Sequence, residues 1–368
     1  MASVRGVEEK EVKQGAGFLV VKDSLGKKIT VMRFPDNIED INFRDDLPYK
    51  VVTHMQGKVV SLTSFEVGSR SSFFGPILSK DYRIASASEE FKNVEHNIKI
   101  LKNSWYFYQE GKDSLSVLGN KRTSTFPIKL KEDLNPQKSS IYNDSKNLTQ
   151  LLCVSKDNLQ VYLYNIEEYS KCKSASSVFE SKLSIDAIVG FPGLRDHPVA
   201  IATGAQIKIC ILMGGSLFDY KELNLKEESL FSEFLEERVK LKEDKMQLFS
   251  TDKGLLISYY QGILSIFDAN QGFVKLFEHD FPELTDLKLS MKENHLCAVH
   301  NKEVHIIKLD PFKHHQIVLD KPVSLVNLDY QDKVIVASGN ELREYSTVNT
   351  FIADYSVDNS QRKTCVIL

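Results

Sequence analysis

Apolar residues along this chain fall in pairs of short runs separated by brief polar turns. The clearest pair is Gly254-Leu-Leu-Ile-Ser-Tyr-Tyr-Gln-Gly-Ile-Leu-Ser-Ile-Phe-Asp268, where Gln261-Gly262 divides two strand-length runs. Such runs around a glycine-bearing turn predict a β-hairpin, because tight hairpins need positive φ at the turn. Variants recur at 151–164, turning at Asp157-Asn158, and at 198–212, turning at Gly204-Ala205. Two more lie at 295–309, around Asn301-Lys302, and at 333–345, around Gly339-Asn340. In the unit at 151–164, Leu159, Val161 and Leu163 alternate with Gln160, Tyr162 and Tyr164, which places one set on each face of a strand. Upstream, 18–32, 51–62 and 105–118 read as three further hairpins.

Each later hairpin is followed by another strand-like run, at 272–277, 316–319 and 350–355, and preceded by one, at 284–289 and 323–328. That makes four strands per unit. Units beginning near 255, 295 and 333 are spaced about 40 residues apart, the usual period of a propeller blade. Seven or eight hairpins predict an all-β fold, a single β-propeller of about seven four-stranded blades. It is expected over 15–360, after a polar lead-in at 1–14 and before a tail, or the start of a following module, at 361–368.

Two stretches interrupt the rhythm. Over 63–104 periodicity lapses and Ser-Arg-Ser-Ser-Phe-Phe-Gly-Pro reads as loop, with a short helix or edge strand expected within 89–101. Over 225–245 the chain is charged, lacks Gly and Pro, and spaces Leu230, Phe231, Phe234, Leu235, Val239 and Leu241 near the helical period. Asn224 can cap this segment and Glu236 can support Lys240 one turn on, so an inserted helix is expected. Its apolar stripe packs on the propeller or meets a partner, which makes Phe231, Phe234, Leu235 and Val239 the partner-binding candidates.

Composition narrows the function classes. Hydrophobic residues at 42% and charged residues at 26% suit a folded, water-soluble protein. A net charge of −3, with acidic and basic residues interleaved, argues against a nucleic-acid groove. The first residues lack the apolar core of a signal peptide, and no apolar run reaches the ~20 residues of a spanning helix, so a cytoplasmic address is expected. Five scattered cysteines give no disulfide framework and no CxxC pair; Cys153, Cys210 and Cys297 sit in strand-like runs as small hydrophobes. Nine histidines invite a search for a metal, and His295 and His305 lie on opposite arms of one hairpin as potential cross-strand neighbours. No acidic or cysteine partner stands at a spacing that completes a site with them, or with His300, His314 and His315. No P-loop, GxGxxG or GxSxG is present, so neither a cofactor nor a catalytic residue is assigned.

The four-strand rhythm, with endings such as Val161-Tyr-Leu-Tyr-Asn165 and Ile266-Phe-Asp268, resembles diverged WD40-type repeats across residues 15–360. The chain departs from that family's signatures: no Gly-His pair is found, and the only tryptophan, Trp105, precedes Tyr rather than Asp. Propellers poor in such signatures occur as N-terminal domains of vesicle-tethering, coat and nuclear-pore subunits, and the resemblance implies a scaffold for protein partners. The last residues, Cys365-Val-Ile-Leu368, fit a prenylation box with Cys365 as the lipid acceptor, which gives a second reading: a membrane-peripheral propeller. The same residues also suit a strand continuing into a further module. A third reading, an enzyme with its site in the propeller channel, would require histidines and carboxylates converging from several blades.

Overall fold

A computed structural model describes residues 17–34, 37–44, 50–55, 58–66, 80–85, 94–101, 104–109, 114–118, 126–130, 134–144, 146, 148–167, 171–173, 177–213, 215–231, 246–281, 284–290, 292–329, 331–355 and 366–367. The described strands form seven antiparallel sheets, the blades of a β-propeller.

The chain opens with a hairpin, β1 (Gly17–Lys22) and β2 (Lys28–Arg33). Blade 1 follows as β3 (Asp40–Arg44), β4 (Lys50–Met55), β5 (Lys58–Glu66) and β6 (Lys80–Ala85). Blade 2 is β7 (Val94–Leu101), β8 (Ser104–Gln109), β9 (Ser114–Leu118) and β10 (Phe126–Lys129). Blade 3 is β11 (Leu134–Asn143), β12 (Thr149–Ser155) and β13 (Gln160–Glu167), whose outer side is shared by β14 (Lys171–Lys173) and β15 (Ser177–Glu180). Blade 4 is β16 (Ala187–Gly190), β17 (Pro198–Thr203), β18 (Gln206–Met213) and β19 (Ser216–Asn224), and leads into a single turn of helix, α1 (Leu225–Glu228).

Blade 5 is β20 (Gln247–Ser250), β21 (Leu255–Tyr260), β22 (Ile263–Asp268) and β23 (Val274–Asp280). Blade 6 is β24 (Asp286–Leu289), β25 (His295–His300), β26 (Glu303–Leu309) and β27 (Phe312–Val318). Blade 7 starts with β28 (Leu325–Leu328), β29 (Lys333–Ser338) and β30 (Glu341–Thr347), which α2 (Val348–Tyr355) follows. A last short strand, β31 (Val366–Ile367), pairs with β23.

The hairpin at Gln261-Gly262 is the central strand pair of blade 5, and its turn residues take φ of 50° and 85°, the positive values expected of a two-residue hairpin. The turns at Asn158, Gly204, Asn301 and Gly339 also carry a residue at positive φ.

The chain divides into two compact units, residues 1–94 with 284–362 and residues 95–283 with 363–368. Within the second unit, successive blades sandwich separate apolar cores. Leu151 and Cys153 of β12 face blade 2 with Tyr106 and Leu115, while their neighbours Leu152 and Val154 face blade 4 with Val199 and Ile201. Ala200 and Ala202 meet Leu256 and Phe267 of blade 5. Because both faces of a middle strand are covered, all six residues of β17 are buried, and the strand reads as a continuous apolar run. In the first unit, Val299 and Ile306 of blade 6 pack with Val334 and Val336 of blade 7.

Three expectations change. Residues 350–355 are not an outer strand but part of α2, with Val348 and Phe351 buried. The outer places of blade 7 are taken by the N-terminal hairpin, since β2 pairs with β30 in the order β1-β2-β30-β29-β28. The run 18–32 therefore completes the last blade rather than founding one of its own. The stretch 63–104 contains the end of β5, all of β6 and all of β7, so these parts are blade rather than loop, and β7 is the edge strand expected within 89–101.

Candidate functional site

The segment expected at 225–245 starts as a capped helical turn, and α1 ends at Glu228. Asn224 caps α1, its side-chain oxygen accepting from the Lys226 amide at 3.2 Å. At Ser229 the backbone leaves the helix, with φ −82° and ψ 137°. The cause is local competition for donors. The Leu230 amide donates 2.8 Å to Oε2 of Glu278, and the Phe231 amide donates 3.0 Å to the Ser229 hydroxyl. Both donors are thereby withdrawn from the carbonyls a continuing helix would offer. Glu278, buried on β23, also accepts from Ser265 and from the Lys275 ammonium, so it is a fixed anchor for this exit. Of the partner-binding candidates, Phe231 packs against the core between blades 4 and 5, while Phe234, Leu235 and Val239 lie outside the described residues.

Four of the exposed apolar residues lie in the chain leading up to and through that exit. Met213 at the end of β18, Phe218 and Tyr220 on β19, and Leu230 are each more than half exposed. Phe218 and Tyr220 stand either side of Asp219, where a β-bulge that leaves Tyr220 without a partner on β18 interrupts the alternation of faces. Only β18 pairs with β19, which leaves its outer edge open among the described strands. Sequence reading missed this strand because Leu217 and Leu223 are its buried residues while larger aromatics point outward, so hydrophobicity alone gives no alternation.

A second cluster spans the leading strands of blades 6, 7 and 1. Asp286 on β24 accepts backbone hydrogen bonds from Val326 of β28 and from Leu287, while its Oδ2 is buried with no partner, and burial pushes the carboxyl up to about 7. Lys288 on the same strand is ion-paired with Asp40 of β3. Burial pulls this ammonium down to about 7, and the Asp40 carboxylate in contact opposes that pull. Asn327 of β28 donates 3.3 Å to the Ile41 carbonyl. These groups tie three blades together through polar contacts, and the cluster has no histidine.

The histidines pair differently from the expectation. On the β25–β26 ladder His295 faces Lys308, and His305 faces Ala298. His305 instead meets His314 of β27, Nδ1 to Nε2 at 3.1 Å with the rings stacked. A diagonal contact of this kind depends on register, which sequence does not reveal. Burial lowers the proton affinity of His295 and His315. Among the described residues no group of three or more His, Cys, Asp or Glu is placed to hold a metal. Cys153, Cys210 and Cys297 are buried and form no disulfide among the described residues; burial, with Asp219 beside it, pushes the Cys210 thiol up to about 12, so it is protonated and unreactive at neutral pH. Cys365 lies outside the described residues, and the two residues after it form β31, Ile367 opposite Phe277 and Val366 opposite Glu278.

The third feature is a cavity of about 320 Å³ in the first unit. The β1–β2 turn supplies Asp23 and Leu25, the end of β27 supplies Val318 and Asp320, and β30 and α2 supply Tyr345, Asp354 and Tyr355. The walls are stiff. Asp23 Oδ1 accepts the Leu25 and Lys27 amides at 3.0 and 2.8 Å, and its Oδ2 accepts the Tyr355 hydroxyl. Lys27 bonds Asp354 at 2.8 Å, and the rings of Tyr345 and Tyr355 stand edge to face at 5.6 Å.

No protein-family model matches the chain, and no curated protein matches it either. Solved structures do, 590 chains in number, which makes the architecture too widespread to select a function by itself. The AfRom2 CNH domain superposes with TM-score 0.51 at 11% identity, over 85% of this chain and 96% of that one. The β-propeller domain of Cps50 (Swd1) from Myceliophteria thermophila gives TM-score 0.55 at 10% identity, over 86% and 98%. The extracellular domain of BT4673 from B. thetaiotaomicron gives 0.53 at 10% identity, over 90% of this chain and 46% of that chain. At these identities the likeness establishes the propeller fold alone. Among the described residues, no helix is long and apolar enough to cross a membrane.

Proposed function

We propose that this chain is a non-catalytic propeller scaffold that holds protein partners, as a subunit of a larger assembly such as a tethering, coat or pore complex. The observation that carries the reading is the outer edge of β19, open among the described strands, with Phe218 and Tyr220 exposed along it and Leu230 exposed beyond it. Apolar groups grouped in this way lose contact with water only when a partner covers them. An open edge strand also offers backbone donors and acceptors that an extended segment of another protein can pair with. Blades whose middle strands are buried on both faces supply the rigid mount that recognition from an edge requires.

Site-specific photocrosslinking tests this. A photoreactive phenylalanine analogue placed at position 218 or at 220 is expected to capture the same partner in native extract, while one at the exposed Lys156 does not. Phe218→Ser with Tyr220→Ser should reduce co-purification of that partner at least tenfold with the thermal midpoint unchanged. Capture from position 156 equal to that from 218 and 220 would overturn the reading.

A further inference from the structure

We infer that the cavity between the β1–β2 turn, the end of β27 and α2 receives one cationic side chain, lysine or arginine, from an extended basic segment of a partner protein. The inference concerns residues of the first unit and rests on no part of the β19 reading.

Size comes first. About 320 Å³ is the lower end of the ~300–1,000 Å³ range of ligand sites, room for a single long side chain or a small head group. Charge selects its sign. Asp23, Asp320 and Asp354 line the cavity and Lys27 answers only Asp354, so the wall carries an excess of negative charge. Two of the carboxylates are committed: Asp23 holds the turn and the Tyr355 hydroxyl, and Asp354 holds Lys27. Asp320 is exposed and, among the described residues, has no hydrogen bond or ion pair, which makes it the carboxylate available to an incoming cation.

The rest of the lining separates a side chain from a bare ion. Tyr345 and Tyr355 present two aromatic rings at 89° to each other, and a cation within about 6 Å of such a face is attracted by the ring quadrupole. Both phenols stay protonated: burial raises each above its ordinary value, Asp23 raises Tyr355 further, and Arg343 beside Tyr345 offsets only part of its rise. At the mouth, Leu25 and Val318 are 55% and 47% exposed, apolar surface that suits the methylene stem of lysine or arginine. A metal ion would gain nothing from those groups, and one free carboxylate is too few to hold it.

Fluorescence anisotropy on the full chain tests the inference, with a labelled peptide of alternating Arg and Gly as probe and its Gln-Gly counterpart as control. The Arg-Gly peptide is expected to bind, more weakly as salt rises, and the Gln-Gly peptide not to bind. Asp320→Asn should weaken binding roughly fivefold, the scale of one exposed ion pair, and Asp320→Lys should abolish it. Glu180→Lys, a reversal at an exposed position on β15, should leave the affinity unchanged. Since Asp320 is exposed, both Asp320 variants should keep the wild-type thermal midpoint. Binding that survives Asp320→Lys, no binding at millimolar peptide, or displacement by free spermidine at equal concentration would each overturn the inference.

Discussion

Gly190 shows how closely the blades approach one another. Its backbone is ordinary extended strand, yet a methyl group added there would enter the Tyr142 ring of the neighbouring blade, and Ser250 of the blade beyond donates 2.7 Å to its carbonyl. Gly190→Ala should therefore destabilise by about 1–3 kcal/mol through overpacking, read as a lower denaturant midpoint. Asp286 is the other residue with a clear consequence. Burial raises its carboxyl from the ordinary 3.8 to about 7, so between those values the folded chain keeps a proton that the unfolded chain has lost. Stability must then fall as pH rises through that window, by up to ~1.4 kcal/mol per pH unit for this group alone. Lys288 acts in the opposite direction above pH 7, where the unfolded chain holds the extra proton. Urea denaturation across pH 4–7 should show a shallower fall for Asp286→Asn than for the wild type; identical slopes would mean the carboxyl ionises normally. Neither residue was legible in the sequence. Gly190 matters because of a tyrosine in another blade, and Lys288 finds Asp40 far away along the chain.

Among the elements, legibility follows how local the causes are. The central hairpins could be read because two turn residues and two apolar runs are all neighbours in sequence. α2 could not, because residues 350–355 have an apolar content that suits a strand as well as a helix. What decides is whether the outer place in blade 7 is vacant, and the β1–β2 hairpin fills it. The helix then buries Phe351 against Tyr345 and Tyr355, ring centroids 5.0 and 4.9 Å away. Phe351→Ala should cost about 3–5 kcal/mol and loosen the wall of the tyrosine-lined cavity, so that it lowers both the thermal midpoint and Arg-Gly peptide binding. The inserted helix expected over 225–245 is described only in its first turn, α1, and residues 232–245 lie outside the described residues. Its cap and first turn obey local rules, and Glu278 on a distant strand takes the Leu230 amide just beyond α1. The strand β19 and the cavity were missed altogether, one for want of alternation and the other because three separate parts of the chain build it.

For the molecule as a whole, a period of about 40 residues and the two-residue turns were enough to predict a propeller of about seven blades, and seven sheets are found. The spare hairpin at the start of the chain is accounted for by its place in the last blade. Function was far less legible than fold, because the features proposed to carry it are surfaces rather than motifs: an aromatic edge on blade 4 and an acidic cavity beside blade 7. The central claim is that these surfaces hold the chain in an assembly. Its most direct test is the native mass of this 368-residue chain expressed in its own cells and gently released, measured for wild type and for Phe218→Ser with Tyr220→Ser. The account predicts that the wild type migrates in a complex of fixed stoichiometry well above its own 41.9 kDa, and that the variant is released as folded monomer. A wild-type protein that migrates at 41.9 kDa, or a variant that stays fully in the complex, would contradict it.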